Sequence, residues 1–503
     1  MRILIFSLAT LTLTAGISEP VKTESGQLSG VAGTSPEVRV YKGIPYAAPP
    51  VGDLRWKTPK PAAKWDGVRK ADRFSATCMQ TGYPEGSPYR SADADNISED
   101  CLYLNIWTGA NDATERRPVM GWIHGGALTK GSGATPTYDG ENFAKKGVVL
   151  VTINYRLGVF GYFAHPELTK ESDRNASGNY GFLDQVAALE WVQRNIEKFG
   201  GDTKRVTNFG ESAGSWSINV LVASPLAKGL FQRAIGESGA NFARVESLAA
   251  AEQTGVKFAT SVGAKSIAEL RAKPAAELLK AERGASGNVD GYFLPTEVYT
   301  IFASGKQNDV PTLIGSNANE GTAFTPPSVK AAAFEAQAKS RYGDKADAFL
   351  KIYPAKTDEQ AHDSAAEAMR DQTFGWEMRT WARMQTKTGK SKVYLYYFRK
   401  VPPGPFGAKM GAYHASEISY VFGNLSTQYA VEEDRTLSGI MQSYWVNFAT
   451  KGDPNGRALP KWPYYQEKTD VAMGLSDKME TTIVPNKAAL DFLDAAFAAQ
   501  HSK

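Results

Sequence analysis

Residues 210–214 read Gly-Glu-Ser-Ala-Gly, a G-x-S-x-G pentapeptide. An apolar, β-branched run at 206–209 precedes it, and residues 215–223 after it read as a helix. A serine on a strand-to-helix turn is held in a strained backbone conformation, and flanking glycines let neighbouring backbone pass without a Cβ clash. Such a turn lifts the Ser212 hydroxyl above a sheet, and the helix N-terminus favours negative charge developing there. The pentapeptide alone arises by chance in long chains. Its flanks make Ser212 a nucleophile candidate rather than part of a structural turn.

A serine hydroxyl is a weak nucleophile and needs a base, ordinarily a histidine oriented by a carboxylate. The chain has five histidines: His124, His165, His362, His414 and His501. With the nucleophile on an elbow of this kind, the chain order is serine, acid, histidine, which removes His124 and His165. His501 lies in the tail, where fraying prevents tight positioning. His362 falls in the polar helical stretch Ala361-His362-Asp363-Ser364, suited to solvent. His414, in a loop after the apolar run 393–398, is the expected base. Catalytic groups in such sheets sit at the carboxyl ends of strands. Beyond the run 310–315 the chain reads Ser316-Asn317-Ala318-Asn319-Glu320-Gly321, with Glu320 its only carboxylate. Glu320 is the expected acid, against the competing reading of a helix-capping or solvated residue.

A tetrahedral intermediate needs hydrogen-bond donors aimed at its oxyanion. His124-Gly125-Gly126-Ala127 follows a strand and fits an HGGG-type loop. The amides of Gly125 and Gly126, with that of Ala213, are the expected donors. Ala127 replaces the third glycine and keeps its N–H. His124 then stabilises the loop.

Several elements must position these groups. Apolar runs at 119–123, 147–153, 206–209, 310–315 and 393–398 are nearly continuous, as in strands buried on both faces of a central sheet. Phe182, Val186, Leu189, Val192 and Ile196 follow one helical stripe between the second and third runs. Strand–helix–strand alternation favours an α/β fold. At the N-terminus, residues 26–31 and 38–45 read as short antiparallel strands. Ala- and charge-rich stretches at 249–283 and 329–388 read as helices inserted between strands. No internal repeat or linker divides the chain, and residues 19–503 read as one domain.

Of 503 residues, 57 are Lys or Arg and 53 Asp or Glu, a net charge of +4. With no long basic run, that balance gives no nucleic-acid footprint. The N-terminus has Arg2, an apolar stretch at 3–14 and small residues at 15–18. Residues 1–18 therefore read as a secretory signal peptide rather than a buried strand, too short to span a bilayer. No other apolar run reaches membrane-spanning length, so a soluble secreted or periplasmic protein is expected. The two cysteines, Cys78 and Cys101, read as a disulfide in an exported chain or else as separate buried thiols. A bridge would add about 3 kcal/mol in the chain-entropy model. Neither has a nearby His or second Cys at zinc-ligand spacing, so no metal site is expected.

The sequence resembles the type-B carboxylesterase/lipase family, the α/β-hydrolase branch that includes cholinesterases and bacterial para-nitrobenzyl esterases. The resemblance rests on Tyr41-Lys42-Gly43-Ile44-Pro45-Tyr46, Ser98-Glu99-Asp100-Cys101-Leu102-Tyr103-Leu104-Asn105-Ile106, Asn154-Tyr155-Arg156-Leu157-Gly158, Gly178-Asn179-Tyr180-Gly181-Phe182-Leu183-Asp184-Gln185, Phe199-Gly200-Gly201-Asp202 and Trp462-Pro463-Tyr464. It spans almost the whole chain after residue 18. It implies an α/β-hydrolase fold: a central, mostly parallel sheet flanked by helices, with a small N-terminal antiparallel sheet and helical insertions. It also implies a Cys78–Cys101 disulfide, a glutamate as triad acid, and Ser238 as the serine supporting that acid. The implied activity is that of a serine carboxylesterase, acting on small-molecule aryl or short to medium alkyl esters and needing no cofactor. Trp216 departs from the family, where smaller residues are common, and is expected to reshape the acyl side of the pocket.

Two alternatives keep the fold. One is a binding or adhesion homologue, against which the intact Ser212, Glu320, His414 and 124–127 loop argue. The other is an amide or carbonate hydrolase with the same triad. Trp216, Phe242, Phe324, Phe406 and Tyr413 lie near the catalytic segments, and Trp216, Phe324 and Tyr413 are the expected pocket residues, although cores use the same side chains. Thr388-Gly389-Lys390-Ser391 resembles the end of a phosphate loop, but Met384 takes the place of its first glycine.

Overall fold

The computed structural model describes residues 16–501, apart from residues 85, 86, 88, 90–95, 244, 282, 283 and 285. Most of the expected signal peptide, residues 1–15, lies outside the described residues.

The apolar runs become strands of one eleven-stranded sheet. In chain order these are β1 (Val31–Ala32), β2 (Arg39–Pro45), β3 (Tyr103–Thr108), β4 (Arg117–Ile123), β5 (Val149–Ile153), β6 (Gly201–Glu211), β7 (Arg233–Glu237), β8 (Thr312–Asn317), β9 (Val393–Phe398), β10 (Val471–Leu475) and β11 (Glu480–Ile483). Their order across the sheet is β11-β10-β9-β8-β7-β6-β4-β5-β3-β2-β1. Every pair from β5 across to β10 is parallel, and both margins are antiparallel. The runs look continuous because alternate side chains feed two separate cores. Val149, Val151 and Ile153 enter one and Leu150 the other; Val393 and Leu395 oppose Tyr394, Tyr396 and Phe398.

Helices cover both faces. The expected stripe forms α1 (Tyr180–Asn195), burying Phe182, Val186, Leu189 and Val192, and ends as Ile196 starts a 3-10 turn. The elbow helix is α2 (Ala213–Ala223). Between β8 and β9 run α3 (Ala331–Tyr342), α4 (Asp358–Arg370), a π-helical turn at Asp371–Gly375 and α5 (Trp376–Thr388). Further helices lie between β7 and β8, at Leu248–Ser261, Ile267–Ala272 and Ala275–Ala281. The inserted helices thus fall where the sequence placed them.

The two N-terminal segments meet only at their margin, where Val31 of the first pairs antiparallel with Val40 of the second. Gln27–Ser29 pairs antiparallel with Val21–Lys22 and parallel with Val68–Lys70 in a small three-stranded sheet. The second segment instead extends the main sheet as β2, because Val40 reaches one core and Tyr41 and Ile44 the other. Cys78 and Cys101 are joined in a disulfide, both buried. Arg156 forms a buried two-pronged pair with Asp184 of α1, at 2.8 and 2.7 Å, tying the loop after β5 to that helix. Among the described residues no helix is long and apolar enough to cross a membrane.

Candidate active site

Strand β6 ends at Glu211, and Ser212 turns the chain into α2 with φ 56° and ψ −122°. A non-glycine residue there carries about 1–3 kcal/mol of strain, held in place because the Ser212 amide donates to the Glu237 carbonyl at 2.8 Å. Both flanking glycines are required sterically. A Cβ at Gly210 would lie 2.5 Å, and one at Gly214 2.0 Å, from the Ile123 carbonyl oxygen. The serine therefore sits over the carboxyl end of the parallel sheet, at the start of an eleven-residue helix.

The expected acid and base follow β8 and β9. Glu320 opens a 3-10 turn three residues beyond β8, and the Asn319–Tyr413 bridge joins its loop to that of His414. The Nδ1 of His414 is 2.6 Å from Glu320 Oε2. The other carboxylate oxygen, Oε1, accepts from Ser238 Oγ at 2.5 Å and from the Asn317 amide at 2.6 Å. Both residues are buried. The imidazole is further held by Phe374 and Phe324, with ring centroids at 4.6 and 4.9 Å, and Tyr89 Oη donates to the His414 carbonyl at 2.9 Å. With Nδ1 engaged, Nε2 is the nitrogen left for a serine proton. It faces the elbow, 3.1 Å from Oε1 of Glu211, the residue before Ser212.

That contact belongs to a group of buried carboxyls that has no local signature in the chain. Glu211, Glu237 and Glu417 surround Glu320. Burial, then the charges of Glu320 and Glu237, push the Glu211 carboxyl well above its usual range. Burial raises Glu237 to about 8, and Glu417 is raised by burial and by the other three glutamates. Four carboxylates in one low-dielectric pocket cannot all ionise. Although close to Nε2, Glu211 Oε1 has no hydrogen bond of acceptable geometry, and a neutral Glu211 leaves Nε2 free to act as a base. Glu237 accepts from the Trp445 indole at 2.7 Å, and Glu417 accepts from Asn317 Nδ2. These residues are scattered from 211 to 445, so only folding brings them together.

The loop 124–127 approaches the elbow from β4. A Cβ at Gly125 would lie 2.8 Å from Glu211 Oε2 and 3.1 Å from Ser212 Cβ, and Gly126 has φ 104° with Lys130 O at 2.2 Å from the missing Cβ. Glycine alone lets this backbone come so near. His124 is buried and stacked on Tyr155, with centroids at 4.5 Å, and its Nδ1 is 2.8 Å from Gly125 O. Burial lowers its pKa to about 4, so the ring is neutral and serves the loop.

A cavity of about 980 Å³ opens beside Ser212, between the elbow and α3–α5. Trp216 and Phe324 line it, as do Ala127, Ala213, Asn241, Phe334 and Phe374. Tyr413 does not; its carbonyl accepts from Asn317 Nδ2 at 2.9 Å. Phe242 is packed in the core against Phe302, and Phe406 is exposed away from the cavity lining. Among the described residues no three His, Cys, Asp or Glu side chains are arranged to hold a metal ion.

The sheet order, the serine elbow on β6 and the loops after β8 and β9 define an α/β-hydrolase. The model of the carboxylesterase family matches residues 18–493. Fumonisin B1 esterase of Sphingopyxis macrogoltabida is 38% identical over 477 residues, covering 89% of this chain and 85% of that protein. Para-nitrobenzyl esterase of Bacillus subtilis (strain 168) is 37% identical over 473 residues, covering 89% and 93%. A solved structure of PNB esterase superposes with a TM-score of 0.83 at 34% identity, covering 94% of this chain and 99% of that one. The chain belongs to the carboxylesterase family, and it is a carboxylic ester hydrolase.

Proposed function

We propose that Ser212 is the nucleophile, His414 the general base and Glu320 the triad acid of a serine carboxylesterase. Ser212 Oγ attacks the ester carbonyl while His414 Nε2 takes its proton. The amides of Gly125, Gly126 and Ala213 donate to the oxyanion. His414 then protonates the leaving alcohol, and the acyl group stays on Ser212. Water, deprotonated by the same imidazole, releases the acid and restores the serine. Glu320 holds the Nδ1 proton and stabilises the imidazolium, and Ser238 holds Glu320. The single observation that carries this reading is the His414 Nδ1–Glu320 Oε2 contact of 2.6 Å, which leaves Nε2 turned to the elbow.

The substrates are aryl or short to medium alkyl esters. The wide, mostly apolar cavity supports this, as does the name of the para-nitrobenzyl esterase relative. A binding homologue without activity is not favoured by a chain that keeps all three residues. Residues 1–18 act as a signal peptide and residues 19–503 form the exported enzyme as one domain. The Cys78–Cys101 disulfide supports an oxidising destination.

The test is hydrolysis of para-nitrophenyl esters, acetate to dodecanoate, by wild type and Ser212→Ala. The expected result is a loss of about 10³-fold or more in the variant. Wild-type rates in the variant would remove Ser212 from its role, and an inert wild type would favour the binding homologue.

A further inference from the structure

The loop 239–243 leaves β7 just beyond Ser238 and begins against the elbow. A Cβ at Gly239 would lie 2.4 Å from the Ser212 carbonyl oxygen. Its amides are held by side chains rather than by neighbouring backbone. Gly239 N donates to Met378 Sδ at 3.2 Å, and Asn241 N to Asn219 Oδ1 at 2.9 Å. Phe242 N and Ala243 N donate to the two oxygens of Glu377, at 2.7 and 3.1 Å. Ser215 Oγ donates to the Gly239 carbonyl at 2.5 Å. Anchors on α2 and α5 therefore fix this loop as a rigid wall of the cavity, the arrangement a selective binding group needs.

One polar side chain on that wall is unspent. Asn241 is 8% exposed and lines the cavity beside Ser212. Its backbone amide donates to Asn219 Oδ1, while its carboxamide makes no hydrogen bond among the described residues and stays open to the cavity. A carboxamide offers two donors and one acceptor oxygen, so it can both give a hydrogen bond to a ligand in the cavity and take one from it. The cavity around it is mainly apolar, with Trp216, Phe324, Phe334 and Phe374 in its lining. A fixed polar group in such a place discriminates. A ligand that supplies a hydroxyl or carbonyl satisfies it, and one that supplies a methyl group strips its water and leaves it unpaired.

We propose that Asn241 is a specificity-determining residue that selects esters carrying a hydroxyl or carbonyl group close to the scissile bond. This rests on the reading of Ser212 as nucleophile. The polar group belongs to the acyl or to the alcohol part of the ester, and the two arms of the test separate these sources.

The experiment follows acid release in a pH-stat for two pairs in which a hydroxyl replaces a methyl group. The acyl arm compares ethyl 3-hydroxybutanoate with ethyl 3-methylbutanoate. The alcohol arm compares 2-hydroxyethyl butanoate with propyl butanoate. Wild type is expected to favour the hydroxyl ester in one arm by about tenfold in kcat/KM. Asn241→Leu and Asn241→Ala are expected to bring that ratio to within about twofold of one, a change of preference that general loosening of the fold would not produce. A wild-type ratio near one in both arms overturns the proposal, whether or not either variant folds. So does a preference that survives in both variants. Para-nitrophenyl butanoate is run alongside with wild type and Ser212→Ala. Its turnover by the wild type and loss in the variant keep a failure of the Asn241 proposal distinct from a failure of the nucleophile.

Discussion

Replacing Glu320 by glutamine separates orientation from charge, and the structure says which way the new amide must face. Glu320 Oε1 receives two donors, the Ser238 hydroxyl at 2.5 Å and the fixed Asn317 N–H at 2.6 Å. The hydroxyl can rotate to accept instead, but the backbone N–H cannot. A glutamine carbonyl oxygen is therefore forced into the Oε1 place, and its NH₂ takes the Oε2 place, 2.6 Å from His414 Nδ1. That NH₂ must donate to Nδ1, which puts the imidazole proton on Nε2. The base then already carries a proton on the nitrogen that should receive one from Ser212. The expected loss is about 10³–10⁴-fold in kcat, or roughly 4–5.5 kcal/mol at 1.36 kcal/mol per tenfold. Glu320→Ala imposes no tautomer, so Glu320→Gln is expected to be at least as damaging despite its closer shape. The assay is kcat and KM on para-nitrophenyl butanoate for the three proteins, with melting curves to confirm folding. A Glu320→Gln enzyme within tenfold of wild type would refute the tautomer argument, and one clearly better than Glu320→Ala would refute the forced orientation.

Gly126→Ala should lower kcat by about 10²-fold or more, because φ of 104° and Lys130 O at 2.2 Å leave no place for a methyl group beside the oxyanion loop; near-normal steady-state rates would show that these amides do not bind the oxyanion. Ser238→Ala removes one of two donors to a buried carboxylate oxygen and should cost about tenfold in kcat with KM little changed; an unchanged kcat would make Ser238 a packing residue. Glu237, raised by burial to about 8 and bonded to Trp445 through one oxygen only, keeps its proton in the folded protein while the unfolded chain has lost it. Stability is thus highest at and below the unfolded carboxyl pKa, falls as pH rises towards 8, and is flat for this group above that. Melting temperature should decline from pH 5 to 8, and Glu237→Gln should flatten part of that decline; an identical slope in the variant would assign the pH dependence elsewhere.

Much of the candidate site's geometry was legible in the chain because it is written locally. The glycines beside Ser212 and those at 125 and 126 are dictated by close backbone approaches, and such constraints leave short, fixed-spacing motifs. Strands buried on both faces announce themselves as unbroken apolar runs. Chain order and the shortage of histidines picked His414, and the first carboxylate beyond a strand picked Glu320. Tertiary structure decided the rest, since it depends on side chains distant in sequence. Residues 27–29 and 39–45, of similar appearance, went to different sheets, because Val40, Tyr41 and Ile44 of the second found a core on each face. Tyr413, next to the histidine, does not line the cavity, while Phe374, forty residues before that histidine, lies on a π-helical turn against the imidazole. Neither the burial of Glu211, Glu237 and Glu417 around Glu320 nor the unspent carboxamide of Asn241 has a local signature. A carboxyl's protonation and an amide's want of a partner are set by what folding places around them, and no spacing in the sequence encodes that.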